Sequence, residues 1–245
     1  MRHLILSLLI LSFSLTISAQ GSRVLFIGDS ITDGDWGLAN GQPSANRRDD
    51  LNHIFGHGYQ SICAYYLQGH WPDRQYQCFN RGISGHTLQD LENRWKEDVL
   101  DLRPDVLSIL IGTNDVGRAI NNKQTSFDIQ GWKAQYARLL NQVKSVNPDV
   151  KFILCTPFAE DSGNKGEAYA KRREWVDLCS QAVRELAKEF GAQCLDYDVM
   201  FDTMLRKYPQ LSANYWIWDS VHPTPAGHQK MADMWLKAFR KLHVR

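Results

Sequence analysis

Hydrophobic and polar positions alternate along this chain in blocks rather than residue by residue. Arg23-Val-Leu-Phe-Ile27 is a continuous, β-branched run that stops at Gly28-Asp29-Ser30. That is the pattern of a parallel strand buried on both faces. Four further strand-like runs follow: Gln75 to Phe79, Val106 to Ile111, Val150 to Cys155 and Ala192 to Leu195. Helical spacing separates them. It begins at Gly58 to Leu67 and resumes after a Thr87 cap with Leu88, Leu91, Trp95 and Val99. A third helix runs from about Gly131 to Val146 and a fourth over 167–190, where Val176, Cys179, Val183, Leu186 and Phe190 share one face. Gly191 ends that helix well. Val199 to Tyr208 and a last helix from Pro225 complete the series. Strands and helices alternate five times, which predicts an α/β fold: a single-domain, doubly wound, parallel five-stranded sheet flanked by helices. Residues 34–58 show no period and read as a long surface loop beside the first strand's end.

Composition changes this picture mainly at the amino terminus. A basic start, an apolar run from Leu4 to Ile17 and the small residues Ser18-Ala19 fit a signal peptide over 1–19, leaving a domain over 20–245. The apolar run falls short of the about 20 residues a membrane span needs, and the first cysteine is Cys63, far from the cleavage site. The expected product is exported, periplasmic or extracellular, without stable membrane insertion. A net charge of +1, with no basic block, argues against nucleic acid as a partner. The five cysteines lack metal-ligand spacing. Cys63 with Cys78 is a conceivable disulfide in an exported protein, and buried free thiols are the alternative.

Candidate chemistry gathers at strand ends. Gly28-Asp29-Ser30, Asn80-Arg81-Gly82 and Gly112-Thr113-Asn114-Asp115 all fall at carboxyl ends of predicted parallel strands, where open α/β sheets bind ligands. Trp218-Asp219-Ser220-Val221-His222-Pro223 precedes the last helix. An Asp and a His three residues apart in a tight turn can hydrogen-bond one another. Hydrolysis of an ester through serine needs such parts: a base to deprotonate the hydroxyl, a carboxylate to fix the base's tautomer, and donors for the oxyanion. Gly82 can bring a backbone N–H close because it has no side chain, and Asn114 offers an amide.

These four segments, in this order and spacing, resemble the sequence blocks of the SGNH (GDSL) hydrolases, and the resemblance spans the chain after residue 19. It implies the flavodoxin-like SGNH-hydrolase sheet. It also implies Ser30 as nucleophile, His222 as general base and acid, and Asp219 as its orienting carboxylate, with Ser30, Gly82 and Asn114 forming the oxyanion hole. Neither cofactor nor metal is implied. Within the family the chain is similar to bacterial acetylxylan esterases and related carbohydrate O-acetylesterases through Leu25 to Asp33, Gly82 to Gly85, Arg94 to Val99, Thr156-Pro-Phe158 and Trp218 to Pro223. The implied partner is an oligosaccharide or small-molecule ester, and a homo-oligomer stays open. Rival expectations are a lysophospholipase or aryl esterase, a sialate O-acetylesterase, and a non-catalytic glycan-binding relative.

Other residues carry two readings each. Trp36 in the long loop and Trp218 beside the turn are candidate sugar contacts, and Trp216 is one too, or a core residue. Arg47, with Arg48, His53 and His57, would suit an anionic sugar or belong to a solvated loop. Asp29 and Asp115 read as structural carboxylates, and Asp196-Tyr-Asp198 as a helix start.

Overall fold

Val24 to Ile27 are completely buried. They lie in strand β1 (Arg23–Gly28), the inner strand about which the sheet is laid out. In the computed structural model, which describes residues 21–34, 38–39, 42–43, 57–160 and 167–244, β1 pairs in parallel with two strands. These are β2 (Gln77–Gly82) on one side and β3 (Val106–Leu110) on the other. Strands β4 (Lys151–Cys155) and β5 (Gln193–Leu195) extend the sheet, giving the order β2-β1-β3-β4-β5 with every pairing parallel. This is the five-stranded parallel sheet the sequence predicts, with flavodoxin-like strand order.

Alternate β1 side chains serve opposite faces of the sheet, as the two-residue period of a strand requires. Leu25 and Ile27 join a core with Leu107, Ile109, Leu154 and residues of helices α3 (Leu88–Trp95), α5 (Ile129–Val146) and α6 (Glu167–Phe190). Val24 and Phe26 join a second core with α2 (Tyr59–His70), α7 (Tyr197–Lys207) and α8 (Pro225–Arg240), where Trp235 stacks on Phe239. The connection from β1 to β2 therefore passes over one face through α2, and that from β2 to β3 over the other through α3. Strands are added on one side of β1 and then, after β2, on the other, and the resulting switch point between β1 and β3 opens a crevice at the carboxyl ends of the strands. Ser30 begins the short helix α1 (Ser30–Asp33) in that crevice.

Three local features differ from the sequence-based expectation. Strand β2 continues to Gly82 instead of stopping at Phe79, because its polar residues are satisfied within the fold. The Asn80 side chain donates to Thr32 O and Asp33 O, and Arg81 faces Asp98 at 3.5 Å. Helix α3 runs on through a π-turn at Lys96–Leu100. An unpredicted helix, α4 (Thr113–Asn121), follows β3. The Thr87 cap is formed as expected, with Asp90 closing the capping box. All five cysteines are free, so Cys63 and Cys78 are buried thiols rather than a disulfide. Residues 1–20 and most of 34–58 lie outside the described residues. Within that stretch, Leu38–Ala39 pairs antiparallel with Gln42–Pro43.

Candidate active site

Ser30 is placed by the sharp exit from β1. A side chain at Gly28 would lie 2.3 Å from Leu110 O, so only glycine lets the strand end this close to β3. Asp29 then caps α1 by accepting the Ile31 N–H at 3.0 Å, which fixes Ser30 as the first helical residue. From there Ser30 Oγ lies 2.7 Å from His222 Nε2, although the two residues are 192 positions apart.

His222 and Asp219 sit in the turn before α8. His222 Nδ1 is 2.6 Å from Asp219 Oδ2, while Asp219 Oδ1 accepts the N–H groups of His222 at 2.8 Å and Val221 at 3.2 Å. An ionised carboxylate only accepts, so the imidazole proton of the neutral ring is on Nδ1 and the Nε2 lone pair faces the Ser30 hydroxyl. Burial raises the Asp219 carboxyl, but the bonds from the His222 ring and from the two backbone N–H groups outweigh it and hold the group below its ordinary range. The turn is pinned from outside: Glu160 N–H donates to Ser220 O at 2.7 Å, and Trp218 N–H to His222 O at 3.0 Å. Ser220 itself adopts φ 80°.

Asn114, at the start of α4, lines the same cavity, with Nδ2 donating to His86 O at 3.2 Å. An amide nitrogen carries two hydrogens, so one remains for a ligand. Gly82 requires a correction. Its N–H donates to Asn80 Oδ1 at 2.9 Å, and a Cβ there would meet Asp33 N at 2.3 Å. It is a packing glycine set back within β2. Gly85, three residues on, lines the cavity with Ser30 and Asn114, has φ 80°, and its N–H makes no hydrogen bond among the described residues. Ser84 N–H and Oγ both donate to Asp33 Oδ2 at 2.8 Å, which ties the Gly85 loop to the serine-bearing helix.

The cavity measures ≈ 1040 Å³, enough for several sugar rings. Trp218 is on its wall, 59% exposed and stacked on His222 with ring centroids 5.7 Å apart. Trp216 is buried against Tyr208 and Tyr215 and is a core residue. Trp36, Arg47, Arg48 and His53 lie outside the described residues. His57 lines the cavity, its N–H donating to Gly34 O at 2.7 Å. Asp115 accepts from Leu88 N–H and Trp132 Nε1, both at 3.0 Å. Burial pushes the Asp29 carboxyl up to about 7 and that of Asp115 up to about 6. Among the described residues no group of three or more His, Cys, Asp or Glu could hold a metal ion.

Two supporting elements are not evident from sequence reasoning. Arg94 donates to Gly28 O, Arg81 O, Asp98 Oδ2 and His86 Nδ1, linking the ends of β1 and β2 to the loop that accepts the Asn114 bond. Its signals in the sequence are the four-residue spacing of Arg94 and Asp98 and the place of both in the Arg94 to Val99 segment that carries the family resemblance, neither of which shows these partners. His228 on α8 is the other, and nothing in the sequence sets it apart from the remaining histidines.

A flavodoxin-like sheet with a hydroxyl, an imidazole and a carboxylate in series at its carboxyl edge defines a carboxylic ester hydrolase. The chain belongs to the GDSL-like lipase/acylhydrolase family, whose pattern matches residues 26–230. It is 34% identical over 227 residues to an acetylxylan esterase of Geobacillus stearothermophilus, covering 89% of this chain and 94% of that protein. A solved GDSL-like protein of Parabacteroides merdae superposes with a TM-score of 0.77 at 33% identity, over 89% of this chain and 95% of that one. The Geobacillus acetylxylan esterase structure gives 0.71 at 30% identity, over 92% and 96%. Three solved variants of that enzyme, described as catalytic mutants, replace a serine, an aspartate and a histidine by alanine. Its aspartate and histidine are three positions apart. No helix among the described residues is long and apolar enough to cross a membrane.

Proposed function

We propose that this chain is an exported acetylesterase that removes O-acetyl groups from carbohydrate, acetylated xylan or a related plant oligosaccharide, through an acetyl-enzyme on Ser30. The observation that carries the reading is the unbroken series Ser30 Oγ, His222 Nε2, His222 Nδ1, Asp219 Oδ2, with links of 2.7 and 2.6 Å. The Geobacillus enzyme's serine, aspartate and histidine variants support it, since Asp219 and His222 keep the same spacing.

In this mechanism Ser30 Oγ attacks the acetyl carbonyl carbon as His222 Nε2 takes the hydroxyl proton. The carbonyl oxygen becomes an oxyanion, received by the N–H groups of Ser30 and Gly85 and by the Asn114 amide. Asp219 stabilises the imidazolium that forms. Collapse of the intermediate breaks the bond to the sugar oxygen, which leaves with the proton from His222. Water, deprotonated by the same Nε2, then attacks the acetyl-enzyme, and acetate departs as Ser30 recovers its proton.

Acetate release from acetylated xylo-oligosaccharide, O-acetyl sialic acid and octanoyl esters tests the substrate class. The proposal predicts turnover of the xylo-oligosaccharide and a steep fall from acetyl to octanoyl. Preference for octanoyl chains would identify a lysophospholipase or aryl esterase instead, and preference for sialate a sialate O-acetylesterase. Export is supported by the first nineteen residues, and a mature protein beginning at Gln20 is the expected result of amino-terminal sequencing.

A further inference from the structure

We propose that His228 is a specificity-determining residue: its Nε2–H donates a hydrogen bond to an oxygen of an uncharged sugar held beside Ser30. The inference rests on the carbohydrate reading above and adds to it a named contact and a charge preference.

The His228 ring is fixed by the amino terminus of α2. Tyr59 is the first helical residue there, so its N–H has no partner within the helix. It donates instead to His228 Nδ1 at 3.1 Å, across 169 positions of sequence. A backbone N–H can only donate, so Nδ1 must present a lone pair, and the neutral ring carries its proton on Nε2. Burial, with His57 and His222 nearby, lowers the His228 imidazole to about 4, which keeps the ring neutral at ordinary pH. Nε2 makes no hydrogen bond with the described residues and is not sealed in the interior. The side chain lines the same cavity as Ser30 and His222. The result is a fixed, uncharged donor on a side chain that lines a site holding a nucleophile.

The remaining wall indicates what it would meet. Among the described lining residues there is no Lys, Arg, Asp or Glu, while Ile31, Ile62, Pro223 and Trp218 supply apolar surface. Such a wall suits sugar ring faces, with hydroxyl, ring or ester oxygens as acceptors. None of these described residues offers a Lys or Arg to a sialate or uronate carboxylate.

The two nitrogens of His228 can be tested separately. His228→Asn keeps an acceptor near Nδ1 for Tyr59 and loses the cavity donor. His228→Gln keeps an amide donor near Nε2 and loses the Tyr59 bond. The readout is the ratio of kcat/KM for acetylated xylo-oligosaccharide to that for p-nitrophenyl acetate, with thermal unfolding measured alongside. The inference predicts that His228→Asn lowers the ratio about tenfold, mainly through KM, the effect of one neutral hydrogen bond. His228→Gln should hold the ratio nearer the starting protein, even if it melts earlier. An unchanged ratio in His228→Asn, or equal falls in both variants, would overturn the inference and leave the carbohydrate reading standing. No acetate from any acetylated carbohydrate with the starting protein would overturn that reading and the inference with it.

Discussion

Replacing Asp219 by Asn tests how the imidazole is held. Asp219 Oδ1 accepts two backbone N–H groups while Oδ2 accepts from His222 Nδ1. An asparagine can satisfy only one side. If its oxygen keeps the backbone bonds, its NH₂ faces Nδ1, the ring proton moves to Nε2, and Ser30 Oγ meets a donor instead of a base. If the amide flips, the ring keeps its tautomer, but two backbone donors then face an NH₂ group. That flip costs about 1–3 kcal/mol at about 0.5–1.5 kcal/mol for each bond lost. Loss of the charge-assisted bond to the imidazolium adds about 1.5–3 kcal/mol. The sum, about 2.5–6 kcal/mol, corresponds to a fall in kcat of about 10²–10⁴. Steady-state hydrolysis of p-nitrophenyl acetate measures it, with circular dichroism as the control for folding. A folded Asp219→Asn protein within about tenfold of the starting kcat, where the argument requires about 10² or more, would refute the tautomer account.

Asn114→Ala removes one of the three proposed oxyanion donors and should lower kcat about 10²–10³-fold while leaving KM and the melting temperature little changed; a kcat near the starting value would remove Asn114 from that role. Gly82→Ala puts a Cβ 2.3 Å from Asp33 N and 2.5 Å from Thr32 C, so chemical denaturation should show a loss of at least about 1–3 kcal/mol. Unaltered stability would mean that β2 and α1 are less tightly apposed than this. Burial, with Asp202 nearby, lifts the Glu160 carboxyl from 4.5 to about 8 against the opposing pull of Arg173, whose Nη1 lies 3.3 Å from Glu160 Oε2. The folded state therefore holds a proton that the unfolded state has lost between those values, and this residue's contribution to stability falls as pH rises through that window. Glu160→Gln should be stabilised relative to the starting protein at pH 8 more than at pH 5 in urea melts, and an equal difference at both would contradict the burial argument.

Much of the architecture is legible in the chain because burial on both faces leaves an unmistakable trace. Val24 to Ile27 must be apolar whichever way each side chain points, and the two cores on either side of β1 show why. The turn carrying Asp219 and His222 is legible for a different reason: a three-residue spacing leaves a carboxylate and an imidazole few other partners. The proposed shift of the oxyanion donor from Gly82 to Gly85 turns on a strand boundary. Polar Asn80 and Arg81 read as a strand end, yet their hydrogen bonds to α1 and to Asp98 let β2 continue to Gly82. That extension carries the strand end three residues onward, from Phe79 to Gly82, and leaves Gly85 in the turn that lines the cavity. His228 is invisible at the sequence level because its partner, the Tyr59 N–H, is a backbone group 169 positions away with no signature of its own.

Strand order and chemistry meet at one point in this fold. The switch point between β1 and β3 opens the crevice, Gly28 lets β1 end inside it, and α8 begins close enough for its preceding turn to reach Ser30. The most direct test is rapid quenching of the protein with p-nitrophenyl acetate, followed by peptide mass analysis. The account predicts one acetyl group on the peptide carrying Ser30, formed in the starting protein and absent from Ser30→Ala. An acetyl group on another residue, or full turnover by Ser30→Ala, would contradict it.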